Sequence, residues 1–277
     1  MLDAQFQEKS FALTSPGPTF EVSGMKVNLF GVYTFLISLL SSLPYYLGLT
    51  LTKAYLESLP EEERDNYRLY DDVGKAWSKG FLAATFSYPE VVNRSNLSGI
   101  SGSCLIVANH ASWLDIPALC TVLDHPFKFI AKGSLTKVPL IGQQLTGGKH
   151  ILIDREDRRS QLKTFKEATS YLKSGTSIMA FPEGGRSENG RLGTFKGGVF
   201  SMALRAGVPV LPITVCNAGD VMPTGYAFPV QGGEGKLRIV VHGLVEVEGR
   251  KEDEVMKEVR ERIISALPRG QMPEEEE

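Results

Sequence analysis

Cysteine is scarce: the 277-residue chain has three, Cys104, Cys120 and Cys216, with no CxxC pair. Neither a disulfide framework nor a thiolate zinc site is indicated. An excess of basic charge is missing too. The 30 Lys and Arg face 32 Asp and Glu, for a formal net charge of −2. A dedicated nucleic-acid-binding domain is usually basic, so no nucleic-acid partner is expected, although a local basic pocket for phosphate is compatible with this balance. There is no GxSxG elbow, the usual mark of a serine esterase of the α/β-hydrolase kind, and no internal repeat. What remains is an ordinary globular composition, 42% hydrophobic and 22% charged, long enough for one large α/β domain and an appended segment.

Charge is also absent locally. Between Lys26 and Lys53 no charged residue occurs, and Leu, Phe, Ile, Val and Tyr dominate. A continuous helix over this run reaches roughly 39 Å, more than the ~30 Å hydrocarbon core of a bilayer. Pro44 stands inside it and kinks a helix or divides it in two, which leaves a spanning helix and a re-entrant hairpin both open. The chain therefore divides into a flexible leader (1–26), a hydrophobic membrane anchor (27–53), an amphipathic helical connector (54–96), a catalytic-type domain (97–268) and an acidic tail (269–277). In the connector, Trp77, Phe81, Leu82 and Phe86 mix with Lys75 and Lys79 at helical spacing, to lie on a membrane or on the domain.

From Leu97 the rhythm changes to short apolar runs between helical patterns. Cys104–Ala108, Phe127–Ala131, His150–Ile153, Ser177–Phe181, Val208–Val215 and Lys236–His242 are predicted strands. Ile116–Leu123, Gln161–Leu172, Phe195–Arg205 and Asp253–Leu267 are predicted helices. The alternation predicts an α/β fold, a mostly parallel sheet flanked by helices. The two prolines of Val208–Val215 point to an edge or a bulge for that strand.

Polar clusters follow several of these strands, where α/β sheets place their ligands. After the first comes Asn-His-Ala-Ser-Trp-Leu-Asp, with His110 a candidate general base and Asp115 its orienter. On one continuous helix the two diverge by about 140°, so they meet only if His110 is in a loop and Asp115 in the first helical turn. Asp115 as no more than a helix-start residue is the alternative. The run ending Ile153-Asp154-Arg155 puts a guanidinium at the sheet edge, suited to phosphate or to a surface ion pair. Gly142–Lys149 has the wrong glycine spacing for a nucleotide phosphate loop, and His150 stands where Ser or Thr is needed. Phe181-Pro182-Glu183-Gly184-Gly185-Arg186-Ser187 offers two glycines between opposite charges, as a ligand turn or a plain surface turn.

In this order and at these separations, NHASWLD, GGKHILIDR, FPEGGRS and VPVLPI resemble the blocks of the glycerolipid acyltransferase family. The resemblance covers roughly residues 97–267, and KFIAKGSLTKVPLIG, RLGTFKGGVFSMALRAG and MPTGYAF look like its bacterial and plastid lysophosphatidate acyltransferase branch. One position departs: Gly185 stands where the family usually has Thr. The resemblance implies the glycerolipid acyltransferase fold and direct acyl transfer to a lysophosphatidate hydroxyl, with His110 and Asp115 catalytic. Glu183, Gly184, Arg186, Arg155 and Lys132 are then the substrate-binding residues. It implies no metal and no cofactor, with acyl-CoA or acyl-carrier protein as the acyl-donor substrate. It also implies a bilayer as partner: endoplasmic reticulum or plastid envelope in a eukaryote, inner membrane in a bacterium. Another acceptor, such as glycerol 3-phosphate, and a lipid or acyl-CoA binding protein without turnover are the competing readings.

Overall fold

The apolar runs after residue 97 become neighbouring strands of one sheet in the computed structural model, which describes residues 20–22, 25–64, 67–226 and 228–274. The strands are β3 (Glu90–Val92), β4 (Leu105–Ala108), β5 (Phe127–Lys132), β6 (Ile151–Ile153), β7 (Ser177–Ala180), β8 (Val210–Cys216) and β9 (Arg238–Val241). Their spatial order is β3-β9-β8-β4-β7-β5-β6. Strands β8, β4, β7, β5 and β6 run parallel, and β9 turns antiparallel against β8.

Helices cover both faces because successive strand residues point to opposite sides. Ile106 and Ala108 of β4 pack with Leu114, with Ala118 and Val122 of α3 (Asp115–Val122), and with Phe81 and Leu82 of α2 (Arg68–Ala84). Leu105 and Val107 face the other way. They share a core with Ala168 and Leu172 of α5 (Arg158–Lys173), Phe200 and Ala203 of α6 (Gly198–Ala206), and Val255, Val259 and Ile263 of α8 (Glu252–Ala266). Three acidic residues open α8, favourable at the positive end of its dipole.

The structure revises some of these expectations and decides points they left open. First, β8 is neither an edge nor bulged, although it contains Pro212. The Pro212 carbonyl accepts from His242 N–H at 3.0 Å, and the β8–β9 ladder ends at Ile213 opposite Val241. The bond a proline cannot make is thus the one just beyond the ladder's end. Second, Pro44 does not divide the apolar run: α1 is one helix, Leu29–Ser58. Third, the end of the leader is not all irregular, since β1 (Phe20–Val22) and β2 (Met25–Val27) pair antiparallel, while residues 1–19 lie outside the described residues. Fourth, an unanticipated helix, α4 (Ile141–Gly147), fills the glycine-containing stretch before β6. Its glycines serve close packing. A Cβ on Gly142 would stand 2.1 Å from the Thr136 carbonyl oxygen, and one on Gly147 2.3 Å from the Tyr70 ring.

The 30-residue α1 packs on α2, where Leu49 and Leu56 share a small core with Tyr70 and Val73. Its other side presents Leu36, Leu40, Leu43, Leu47 and Leu51 outward, at steps of three and four that keep them on one face. Aromatic stacking continues inward from this helix, with Tyr45 on Trp77 and Trp77 edge-on to Trp113 beside the His110 loop.

Candidate active site

Four adjacent parallel strands, β4, β7, β5 and β6, deliver the nominated residues other than Asp115 to their C-terminal ends. His110 follows β4, Glu183 to Arg186 follow β7, Lys132 ends β5, and Arg155 follows β6. Lys132 stands opposite Ile153 in the β5–β6 register, two residues before Arg155.

The geometry at His110 meets the condition set by its spacing from Asp115. His110 lies in the loop, and Asp115 is the first residue of α3. His110 Nδ1 and Asp115 Oδ2 are 2.7 Å apart, and Asp115 is fully buried. The same Oδ2 accepts the Ala111 and Ser112 N–H groups, each at 2.9 Å. One carboxylate oxygen therefore shapes the loop and orients the ring together. With Asp115 acting as acceptor, Nδ1 carries the proton and Nε2 is left as the basic nitrogen. The ring lies flat on Phe181, with centroids 3.9 Å apart and planes 13° from parallel.

The loop is held from three further directions. Asn109 exchanges two hydrogen bonds with the Val215 backbone at 2.8 and 2.9 Å, tying the end of β4 to β8. Ser112 Oγ donates to the Met222 carbonyl at 2.8 Å. Glu183 Oε1 accepts the His110 N–H at 2.6 Å, while Oε2 accepts the Gly193 N–H at 2.8 Å. Both Glu183 oxygens are thus engaged by backbone, and burial raises the carboxyl above its ordinary pKa against the pull of these two donors.

The cations surround the Phe181–Ser187 turn. Lys132, Arg155 and Arg186 are exposed, and among the described residues none of the three forms an ion pair. The position of a Cβ on Gly185 is 3.8 Å from Arg155 Nη1, which brings the β6 arginine to the β7 turn. Arg186 lines a cleft of about 440 Å³ with Gly185, Arg191 and Arg260. Gly184 takes φ +78°, open to glycine at little cost, and Gly185 does not have a left-handed φ. Sequence reasoning missed Lys196. It lies in the loop that follows the turn, where its N–H donates to the Pro182 carbonyl at 2.9 Å and its ammonium reaches over Gly184. No residue spacing signals that contact. It did not single out Asn109, Phe181 or Gly193 for their supporting roles either.

An imidazole oriented by a buried carboxylate, at the same end of the sheet as cations with no carboxylate partner, has the chemistry a general base and an anion seat require. Comparison with known proteins narrows this class. Residues 85–216 match the acyltransferase family model. A 1-acyl-sn-glycerol-3-phosphate acyltransferase of Chlamydomonas reinhardtii is 33% identical over 257 residues, 92% of this chain and 73% of that protein. A chloroplastic 1-acyl-sn-glycerol-3-phosphate acyltransferase of Arabidopsis thaliana is 34% identical over 73% of this chain and 56% of its own length. The crystal structure of PlsC, the 1-acyl-sn-glycerophosphate acyltransferase of Thermotoga maritima, superposes with a TM-score of 0.65 at 26% identity. It covers 83% of this chain and 94% of that one. The chain belongs to the glycerolipid acyltransferase family, and it is an acyltransferase enzyme.

Proposed function

We propose that the protein transfers a fatty acyl group from an acyl thioester, acyl-CoA or acyl-carrier protein, to the sn-2 hydroxyl of 1-acylglycerol 3-phosphate, giving phosphatidic acid. The observation that carries this reading is the 2.7 Å His110–Asp115 contact, at an end of the sheet shared with the unpaired Lys132, Arg155 and Arg186. The acceptor named is the one printed for the Chlamydomonas, Arabidopsis and Thermotoga relatives.

In this mechanism His110 Nε2 takes the proton from the acceptor hydroxyl as its oxygen attacks the thioester carbonyl carbon. The tetrahedral intermediate collapses with cleavage of the C–S bond, and the leaving thiolate receives the proton from the imidazolium. Asp115 stabilises that imidazolium and keeps Nε2 aimed outward, the base-and-orienter part of a serine-protease triad with the substrate as nucleophile. Arg155, Arg186 and Lys132 hold the acceptor phosphate. Glu183 acts from behind by fixing the His110 and Gly193 backbone.

Attachment to a membrane surface through α1 belongs to the same reading, because both substrates carry long chains. The helix is long and apolar enough to cross a bilayer, yet one side is packed on α2. Seating the outward leucines among acyl chains then leaves that end of the sheet at the lipid surface. The experiment that tests the function measures thiol release from acyl-CoA against lysophosphatidate, glycerol 3-phosphate, other lysophospholipids and monoacylglycerol. Lysophosphatidate is expected to be used most efficiently. Efficient release without any acceptor overturns the proposal.

A further inference from the structure

Lys196 sits in the loop before α6, in a segment with no strand or helix of its own to explain its position. Its backbone N–H is bonded to Pro182, and its side chain folds back across the turn after β7. A Cβ on Gly184 would stand 2.7 Å from Lys196 Nζ and 3.0 Å from its Cε, so the ammonium lies directly over Gly184. On the next residue, the Cβ position of Gly185 is 3.8 Å from Arg155 Nη1. Two cations from separate elements, the β6 end and the α6 approach, therefore flank two successive residues without side chains.

Neither cation is neutralised. No carboxylate lies within ion-pair distance of Lys196 or Arg155 among the described residues. The adjacent acid, Glu183, turns its two oxygens to the His110 and Gly193 N–H groups instead. Two unpaired cations beside a half-buried peptide segment without side chains form a seat for a compact dianion, with an ammonium as point charge and a planar guanidinium fork as its two donors.

We infer that Lys196 is a specificity-determining residue that works with Arg155 to hold one phosphate monoester over the Gly184–Gly185 segment. This deepens the function proposed above and rests on it, since the phosphate meant is that of the acyl acceptor. The lysine supplies charge and one hydrogen bond, and the paired glycines let the phosphate approach the backbone.

The test compares wild type, Lys196→Gln, Lys196→Arg and the control Lys166→Gln on the outer surface of α5. Lysophosphatidate, monoacylglycerol and acyl-CoA are each varied, and sn-glycerol 3-phosphate serves as a soluble competitor. Lys196→Gln is expected to raise KM for lysophosphatidate by roughly tenfold or more, with kcat and KM for acyl-CoA little changed. Its preference for lysophosphatidate over monoacylglycerol falls by the same factor, and inhibition by glycerol 3-phosphate weakens. Lys196→Arg recovers part, and Lys166→Gln behaves as wild type. If acceptor KM and preference stay at wild-type values in Lys196→Gln, the assignment is wrong while the enzyme's function stands. A rise confined to the acyl-CoA constant also overturns it, placing the lysine on the donor's phosphates. A wild type that uses monoacylglycerol as well as lysophosphatidate overturns both the function and the assignment.

Discussion

Asp115 Oδ2 lies 2.7 Å from His110 Nδ1 and accepts two backbone N–H groups of the intervening loop, so the group that orients the base also builds the loop that carries it. Removing the imidazole and removing its orienter therefore have different signatures. His110→Ala is expected to lower kcat by about 10²–10⁴-fold with the fold intact, the usual scale of general-base catalysis. Asp115→Asn keeps the shape but loses the charge that stabilises the imidazolium, so kcat falls strongly and KM moves little. Asp115→Ala releases the loop as well and lowers the thermal midpoint. Near-normal turnover in His110→Ala would sink the mechanism.

Glu183 makes a separate prediction, because its two oxygens each hold a backbone donor. An amide in its place turns an N–H₂ toward one of them. Glu183→Gln is expected to lower kcat and to cost roughly 1.5–3 kcal/mol of stability, the scale of a charge-assisted hydrogen bond. Denaturant unfolding alongside kinetics checks this. An unchanged midpoint together with a raised acceptor KM would assign Glu183 to substrate instead.

The two glycines of the turn separate cleanly. Gly185 has no left-handed φ, and its added Cβ meets nothing closer than Arg155 Nη1 at 3.8 Å, an ordinary contact. Gly185→Thr is therefore expected to fold normally, which excludes the strained-turn explanation for this chain's departure from its family. Gly184→Ala meets φ +78°, where an L side chain is strained, and is expected to be destabilised by about 1 kcal/mol or more, while the Lys196 end swings aside. Equal stability of the two variants would contradict this.

Acid stability should depend on His150. Burial, with the Lys128 ammonium second, holds its ring at about 3. Its Nδ1 accepts the Phe129 N–H at 3.0 Å, which fits the neutral form. In the unfolded chain the ring titrates near 6.5, so protonation favours unfolding. His150's contribution is present above about 6.5 and is lost as pH falls toward 3. Asp71, raised by burial to about 6 despite its 2.5 Å contact with Lys128, has the opposite sign and loses its contribution as pH rises through that value. The loss of unfolding free energy between about pH 7.5 and 4.5 should be smaller in His150→Gln than in wild type. Parallel curves for the two proteins would refute the assignment.

Membrane attachment is checked on the outward face of α1, where Leu40 and Leu43 are 73% and 63% exposed. Replacing both with Glu removes no core contact, so the thermal midpoint should hold. Each leucine withdrawn from acyl chains forfeits about 1.5–3 kcal/mol, so vesicle flotation should drop by at least tenfold. Wild-type flotation of the double variant would show that α1 does not bind lipid.

Much of this molecule is decided by local pattern. Short continuous apolar runs and helical spacings located the strands that carry the site, because a strand covered on both faces must be apolar throughout. The Asn-His…Asp and Phe-Pro-Glu-Gly-Gly-Arg blocks announced the residues at one end of the sheet, since their order and separations are properties of the chain alone. The central place of a proline-containing β8 depended instead on where the β9 ladder stops. Continuity of α1 through Pro44 was likewise a tertiary outcome, in a helix that packs along α2. That Glu183 grips the His110 and Gly193 backbone and that Lys196 covers Gly184 depend on how the loop after β4 and the loop before α6 fold onto the end of β7. Periodicity reports which face of an element is buried; it carries no information about which distant backbone donor a side chain will meet, and only the folded arrangement of strands and loops decides that.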